Sequence, residues 1–168
     1  MSGQQMKISI IAATDTQGGI GKDGRLPWNC LHDLELFKSR TMGHFVIVGR
    51  TTWETMKSDL PGRRVIVLSK NPEYSSAKPF YGTAGCLEDA IKLAKNEGES
   101  EVFVIGGQSV YTEAIQMANV LYISRISGVY SCDTFFPTIA MDEWALESVE
   151  SPYPKDCSFY VCIYRRKC

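Results

Sequence analysis

An α/β fold, in which a largely parallel sheet ends in an antiparallel hairpin, is what this chain predicts, and three observations predict it. Short continuous apolar runs recur at residues 8–13, 45–48, 64–68, 102–105 and 120–126. Runs without polar alternation suit strands buried on both faces. Helical patterns alternate with them, the arrangement that builds βαβ units. Near the C-terminus, 144–149 and 159–164 flank a proline-rich turn, which reads as a hairpin at one sheet edge.

The 168 residues fit one domain spanning 1–168, long enough to bury a core that folds without staples. A net charge of -1 with 22% charged residues gives no broad basic field for nucleic acid, and 44% hydrophobic content argues against disorder. Six cysteines are scattered without a C-x-x-C pair, and His32 and His44 are the only histidines. No zinc spacing follows, so no metal is expected, and reduced thiols in a cytoplasmic setting are the default expectation. The apolar run at 8–13 is too short for a signal h-region or a membrane span.

In chain order, 8–13 is expected to be a central strand. Residues 14–25 carry Gly18, Gly19, Gly21 and Gly24 and are expected to form a mobile loop without a regular element. Gly19, Gly21 and Gly24 spell G-x-G-x-x-G, but a dinucleotide fingerprint needs a helix opening inside it, and Pro27 follows instead. The helical pattern at 31–40 sets Asp33 and Phe37 four apart on one side, with Leu34 beside them. A carboxylate facing apolar groups needs a polar partner or a shifted pKa. Equally, an acid in a first turn can do no more than favour the helix dipole.

Gly49-Arg50 leaves a strand and enters a helix, with Thr51 or Thr52 read as N-cap and Glu54 closing a capping box. Such turns present N–H groups to anions, and Arg50 adds a fork suited to phosphate, though a solvated arginine is an equal reading. Pro61-Gly62 marks a turn before Arg63 and the strand at 64–68, which ends at Ser69-Lys70. A connection with a short strand near 79–81 leads to a helix at 87–96, stopped by Gly98. Gly106-Gly107 then separates the strand at 102–105 from a helix beginning near Gln108, a second phosphate-accepting junction or simply a tight turn. After the strand at 120–126, residues 132–137 form an extended piece closed by Pro137.

From 8 to 164 the chain resembles dihydrofolate reductases. The resemblance rests on Ile20-Gly21, Leu26-Pro27-Trp28, Asp33-Leu34 with Phe37-Lys38, Gly49-Arg50 with Thr52-Trp53-Glu54, Leu60-Pro61-Gly62-Arg63, Ile105-Gly106-Gly107 with Tyr111, and Asp133-Thr134 with Phe136-Pro137. Each is a common fragment; together, in this order, they are specific. The resemblance implies one domain with a core at about 7–166, a mixed, mostly parallel eight-stranded sheet, about four flanking helices and an edge hairpin. It implies reduction of 7,8-dihydrofolate to tetrahydrofolate by hydride from NADPH, in support of one-carbon metabolism and thymidylate synthesis. It also implies antifolate binding, a cytoplasmic monomer, and no nucleic-acid or membrane partner.

By the same resemblance, Asp33 stands where the family's carboxylate binds the pterin amino group and ring nitrogen. Water would protonate N5, with Asp33 and Tyr111 tuning the field, Trp28 supporting a water, and Ser124 linking to the acid where threonine is usual. Ile11, Ala12, Phe37, Met56, Leu60 and Ile105 would wall the substrate. Arg63 would take its glutamate carboxylate, with Lys38 assisting at the rim. Leu26 and Ile20 belong to a loop closing over the nicotinamide, whose carboxamide the backbone of Ala13 and Ile20 would hold. Arg50, Ser69 and Lys70 would surround the 2′-phosphate. Thr52, Gly107, Gln108 and Ser109 would take pyrophosphate or ribose, and Gly21, Gly49, Thr51, Leu68, Ile105, Gly106, Val110 and Tyr111 complete the cofactor set. In the family a cis peptide joins Gly106 and Gly107.

Val48 replaces a frequent methionine, and Cys30, Leu31 and Cys132 also depart from the usual pattern. A pyrimidine-reducing relative of the same fold would not need Asp33 or Arg63. A degenerate reductase kept for binding would be expected to lose the acid, Trp28 or the glycine pair. All of these residues are present.

Overall fold

The first apolar run becomes the middle of the sheet. In the computed structural model, which describes residues 5–152 and 157–168, β1 (Lys7–Thr14) lies between two parallel neighbours, β6 (Glu101–Val104) and β7 (Val120–Ile126). Beyond β6 come β3 (Phe45–Gly49), β4 (Arg64–Leu68) and β5 (Gly82–Ala84), all parallel. Beyond β7 come β10 (Phe159–Arg166) and, at the edge, β9 (Trp144–Glu150), both pairings antiparallel. The eight strands run β5-β4-β3-β6-β1-β7-β10-β9. This is the mostly parallel sheet with an edge hairpin that the resemblance implies.

Four helices flank it among the described residues: α1 (Leu31–Thr41), α2 (Arg50–Thr55), α3 (Leu87–Asn96) and α4 (Gln108–Ala114). Side chains alternate across the sheet because the strand period is two. Phe45, Ile47, Ile66, Val102 and Val104 therefore enter one core with Leu87, Ala90 and Ala94 of α3. Val46, Val48, Val65 and Val67 enter another with Trp53 of α2. The chain skips from β1 to β3, runs outward to β5, and returns to fill the gap with β6. A ligand crevice is expected where the carboxyl ends of such strands open together.

Four expectations need correction. Residues 14–25 contain a strand, β2 (Gly19–Gly21), which pairs antiparallel with β8 (Thr134–Phe135); neighbours distant in sequence supply the order that the glycines lack locally. Helix α2 opens at Arg50 with extended Gly49 as N-cap and no side-chain cap bond, so neither Thr51 nor Thr52 caps it, and Glu54 pairs with Arg50 instead. The short strand falls at Gly82–Ala84 rather than near 79–81, because Pro79 cannot donate to a ladder. Cys30 and Cys157 form a disulfide, with Cα atoms 5.5 Å apart. Spacing could not show that Cys157, two residues before β10, meets the N-cap of α1.

Candidate active site

The parallel strands and α1 enclose a cleft of about 1500 Å³, beyond the roughly 300–1,000 Å³ of a typical single-ligand pocket. Asp33 and Phe37 of α1 both line it, with Ile11, Ala12, Ala13, Met56 and Ile105 around them. Asp33 is 8% exposed. Ser124, across the sheet on β7, donates its hydroxyl to Asp33 Oδ1 at 2.5 Å. Oδ2 takes no protein hydrogen bond among the described residues. Burial raises the Asp33 pKa above the usual carboxylate range, against the opposing pull of the Ser124 hydroxyl and of His32. This acid therefore does more than favour a dipole: it is a buried, half-satisfied acceptor facing a cavity.

Tyr111, from α4, donates its buried hydroxyl to the Ile11 carbonyl at 2.9 Å. Burial, then the Asp33 charge, push its pKa up, so the phenol keeps its proton at neutral pH. Trp28 is buried against Tyr130, edge to face, with ring centres 5.5 Å apart. Leu26 stays half-exposed at the cleft mouth, and Ile20 and Gly21 of β2 also line it.

The other end of the cleft is built mainly from backbone turns. Gly49, Arg50, Thr51, Thr52, Leu68, Ser69, Lys70, Gly107, Gln108, Ser109 and Val110 line it. Neither the α2 nor the α4 N-terminus has a side-chain cap, which leaves N–H groups for an outside acceptor. A Cβ on Gly107 would sit 2.7 Å from Thr52 Oγ1, and one on Gly49 would sit 3.2 Å from Val110, so only glycine keeps this cradle open. Bare amides with Arg50 and Lys70 at the rim fit a dinucleotide's phosphates. The Gly106-Gly107 peptide is cis.

Some sequence-assigned residues lie elsewhere. Leu60 and Arg63 border a separate recess of about 320 Å³. Arg63 donates to Thr41 Oγ1 at 3.3 Å and its guanidinium lies 5.8 Å from the Phe37 ring centre, which ties it to the cleft only through Phe37. Lys38 is exposed. Conversely, Gly85, Cys86 and Leu87 line the cleft at the end of β5, and Leu36, Arg40 and Tyr122 line its other side. With β5 placed correctly, the strand-end rule would have flagged the first three; no spacing signal marks the rest.

A family model described as dihydrofolate reductase matches residues 7–166. A dihydrofolate reductase of Staphylococcus haemolyticus is 34% identical over 96% of each chain. The type 3 dihydrofolate reductase of Salmonella typhimurium is 37% identical over 95% of this chain and 96% of its own. Among solved structures, a dihydrofolate reductase from Enterococcus faecalis complexed with NADP(H) and RAB-propyl superposes with a TM-score of 0.88 at 31% identity, covering 96% of this chain and 97% of that one. With the sheet order, the Asp33–Ser124 pair and the glycine cradle already in place, these matches settle the grouping: the chain belongs to the dihydrofolate reductase family.

Proposed function

We propose that the chain reduces 7,8-dihydrofolate to tetrahydrofolate with NADPH, and that Asp33 anchors the pterin. The observation that carries this is the buried Asp33 carboxyl, which lines the cleft with its Oδ1 held by Ser124. A fixed carboxylate accepts from an amino group and ring nitrogen in one plane, and orientation of that kind is what hydride transfer needs. Bound NADPH supplies the hydride. Ile11, Ala12, Phe37, Met56 and Ile105 wall the substrate and keep bulk water from the ring. Tyr111 fixes the Ile11 carbonyl. Delivery of the proton to N5 is assigned to water entering the cleft, in a field set by Asp33 and neutral Tyr111.

Arg50, Ser69 and Lys70 receive the 2′-phosphate; Thr52, Gly107, Gln108 and Ser109 receive pyrophosphate or ribose; Ala13 and Ile20 hold the carboxamide by backbone atoms. Arg63 swings from Thr41 to the substrate's glutamate carboxylate, with Lys38 beside it. Antifolates compete at Asp33. No helix among the described residues is long and apolar enough to cross a membrane. We assign the protein as a monomer acting as one domain over 1–168, which light scattering after size exclusion tests for mass, in a cytoplasmic setting that keeps Cys30 and Cys157 as thiols until an oxidant closes their bond.

Purified protein should consume NADPH only when dihydrofolate is present. Asp33→Asn should lower kcat/KM by about 10²–10³-fold, the scale of lost orientation and charge stabilisation, while binding NADPH within twofold. An Asn variant with unchanged turnover would refute the anchor.

A further inference from the structure

The mechanism leaves a buried acid, Asp15, unused. Asp15 follows β1 directly and is 1% exposed, a placement that an ionised carboxylate tolerates only with strong partners. Its Oδ1 accepts the N–H groups of Gln17 at 2.9 Å and Gly19 at 2.8 Å. Its Oδ2 accepts the Tyr130 N–H at 3.1 Å and lies 3.6 Å from Cys132 Sγ. The two oxygens therefore face two different segments, the approach to β2 and the loop before β8. Backbone bonds reinforce both: Asp15 N–H donates to Gly19 O at 2.9 Å, and Thr16 N–H to Gly128 O at 2.9 Å. Although burial raises its pKa, the Tyr130, Gly19 and Gln17 amides together with Cys132 hold the Asp15 carboxyl below the usual range, which keeps it an acceptor at neutral pH. The fit is tight, since a Cβ on Gly19 would come within 2.4 Å of Cys132 Cβ. The next residue is Ile20, which lines the cleft.

We propose that Asp15 is a positioning residue for the nicotinamide half of the cofactor site, its carboxylate clamping Gly19, and with it Ile20, against the loop that carries Tyr130 and Cys132. This rests on the reductase reading above. The adenosine half lies across the cleft on Arg50, Ser69 and Lys70, which Asp15 does not touch, so the effect of the clamp is confined to one end of the cofactor.

Asp15→Asn is a selective cut. The amide oxygen still serves Gln17 and Gly19, but its NH2 then faces the Tyr130 N–H and the two donors repel. NADPH should dissociate about tenfold more readily, the scale of one lost charge-assisted bond, whereas 2′-phospho-ADP-ribose, which lacks the nicotinamide, should bind within twofold of the native value. Gly19→Ala, which pushes the same segments apart without altering the carboxylate, should reproduce the split, and it decides the matter if Asp15→Asn does not fold. Equal loosening of both ligands, or unchanged NADPH affinity, overturns the proposal. Failure of the native protein to bind NADPH at all would instead defeat the reductase reading.

Discussion

Under the proposed assignment, the two ends of the cleft recognise their ligands by opposite means. At the folate end one buried carboxyl, in a cleft also lined by Ile11, Phe37 and Met56, has a single hydrogen-bond partner among the described residues, Ser124. At the cofactor end the elements are backbone amides at two glycine turns and exposed cations, and Arg50 is already paired with Glu54 at 3.2 Å. Buried charge interactions are strong and unforgiving, whereas exposed ones are individually modest and screened by salt. Substitutions at the first end should therefore act steeply and singly, and at the second gradually and in sum.

Asp33→Asn tests the steep end most severely, because it should separate activity from stability. The folded pKa of Asp33 is raised, so the native state binds more protons than the unfolded one as pH passes through and above the ordinary carboxylate value. The contribution of Asp33 to stability is therefore present at acid pH and lost as pH rises through its folded pKa. The Asn variant, nearly inactive, should melt about 2–4 °C higher than the native apo-protein at pH 7, an effect of ~1 kcal/mol at this chain length. The gain should vanish in acid. A variant that melts lower at pH 7 would mean that the carboxylate is not a strained charge.

The brace beside the folate end ranks next. Cys30 is the N-cap of α1, three residues before Asp33, and its bond to Cys157 closes a sequence separation of 127. Cys157→Ser should cost about 2–5 kcal/mol in a urea melt, with the upper end expected for a cross-link over so long a loop. Reductant should reproduce the loss in the native protein and leave the variant unchanged.

At the cofactor end, Arg50→Ala should reduce the preference for NADPH over NADH in kcat/KM by about 10–100-fold, the range of one charge-assisted contact. The NADH value should stay within twofold, and added salt should shrink the difference. An unchanged preference would shift 2′-phosphate selection to Lys70 and Ser69.

The sequence made the two ends legible to different degrees, for physical reasons. Asp33 and Phe37 were readable because helical spacing is local, and Arg50 and Gly107 because strand-to-turn junctions carry their own composition. The β2–β8 pairing was not readable: three residues bond to two, 113 apart between Gly21 and Thr134, and neither segment has a strand pattern of its own. The same holds for the Asp15 clamp and the Cys30–Cys157 bond, each of which joins a loop near the N-terminus to one near the C-terminus. The Arg63 side chain rests on Thr41 rather than lining the cleft, a choice between two directions of a long side chain that no local spacing encodes.

The smallest predicted effect asks how far the steep end depends on its one partner. Ser124 donates to Asp33 Oδ1 and so favours the ionised form, opposing burial. Ser124→Ala leaves burial in place and removes one opposing donor, so the Asp33 titration should move further up. The carboxyl carbon resonance of Asp33, followed by NMR against pH, reads this directly. kcat/KM at neutral pH should fall about tenfold or less, since the anchor remains. Ser124→Thr, which restores the hydroxyl, should bring back both values; a titration that moves down or stays put in Ser124→Ala would mean that water takes over the donor's place, and that the folate end is as tolerant as the cofactor end.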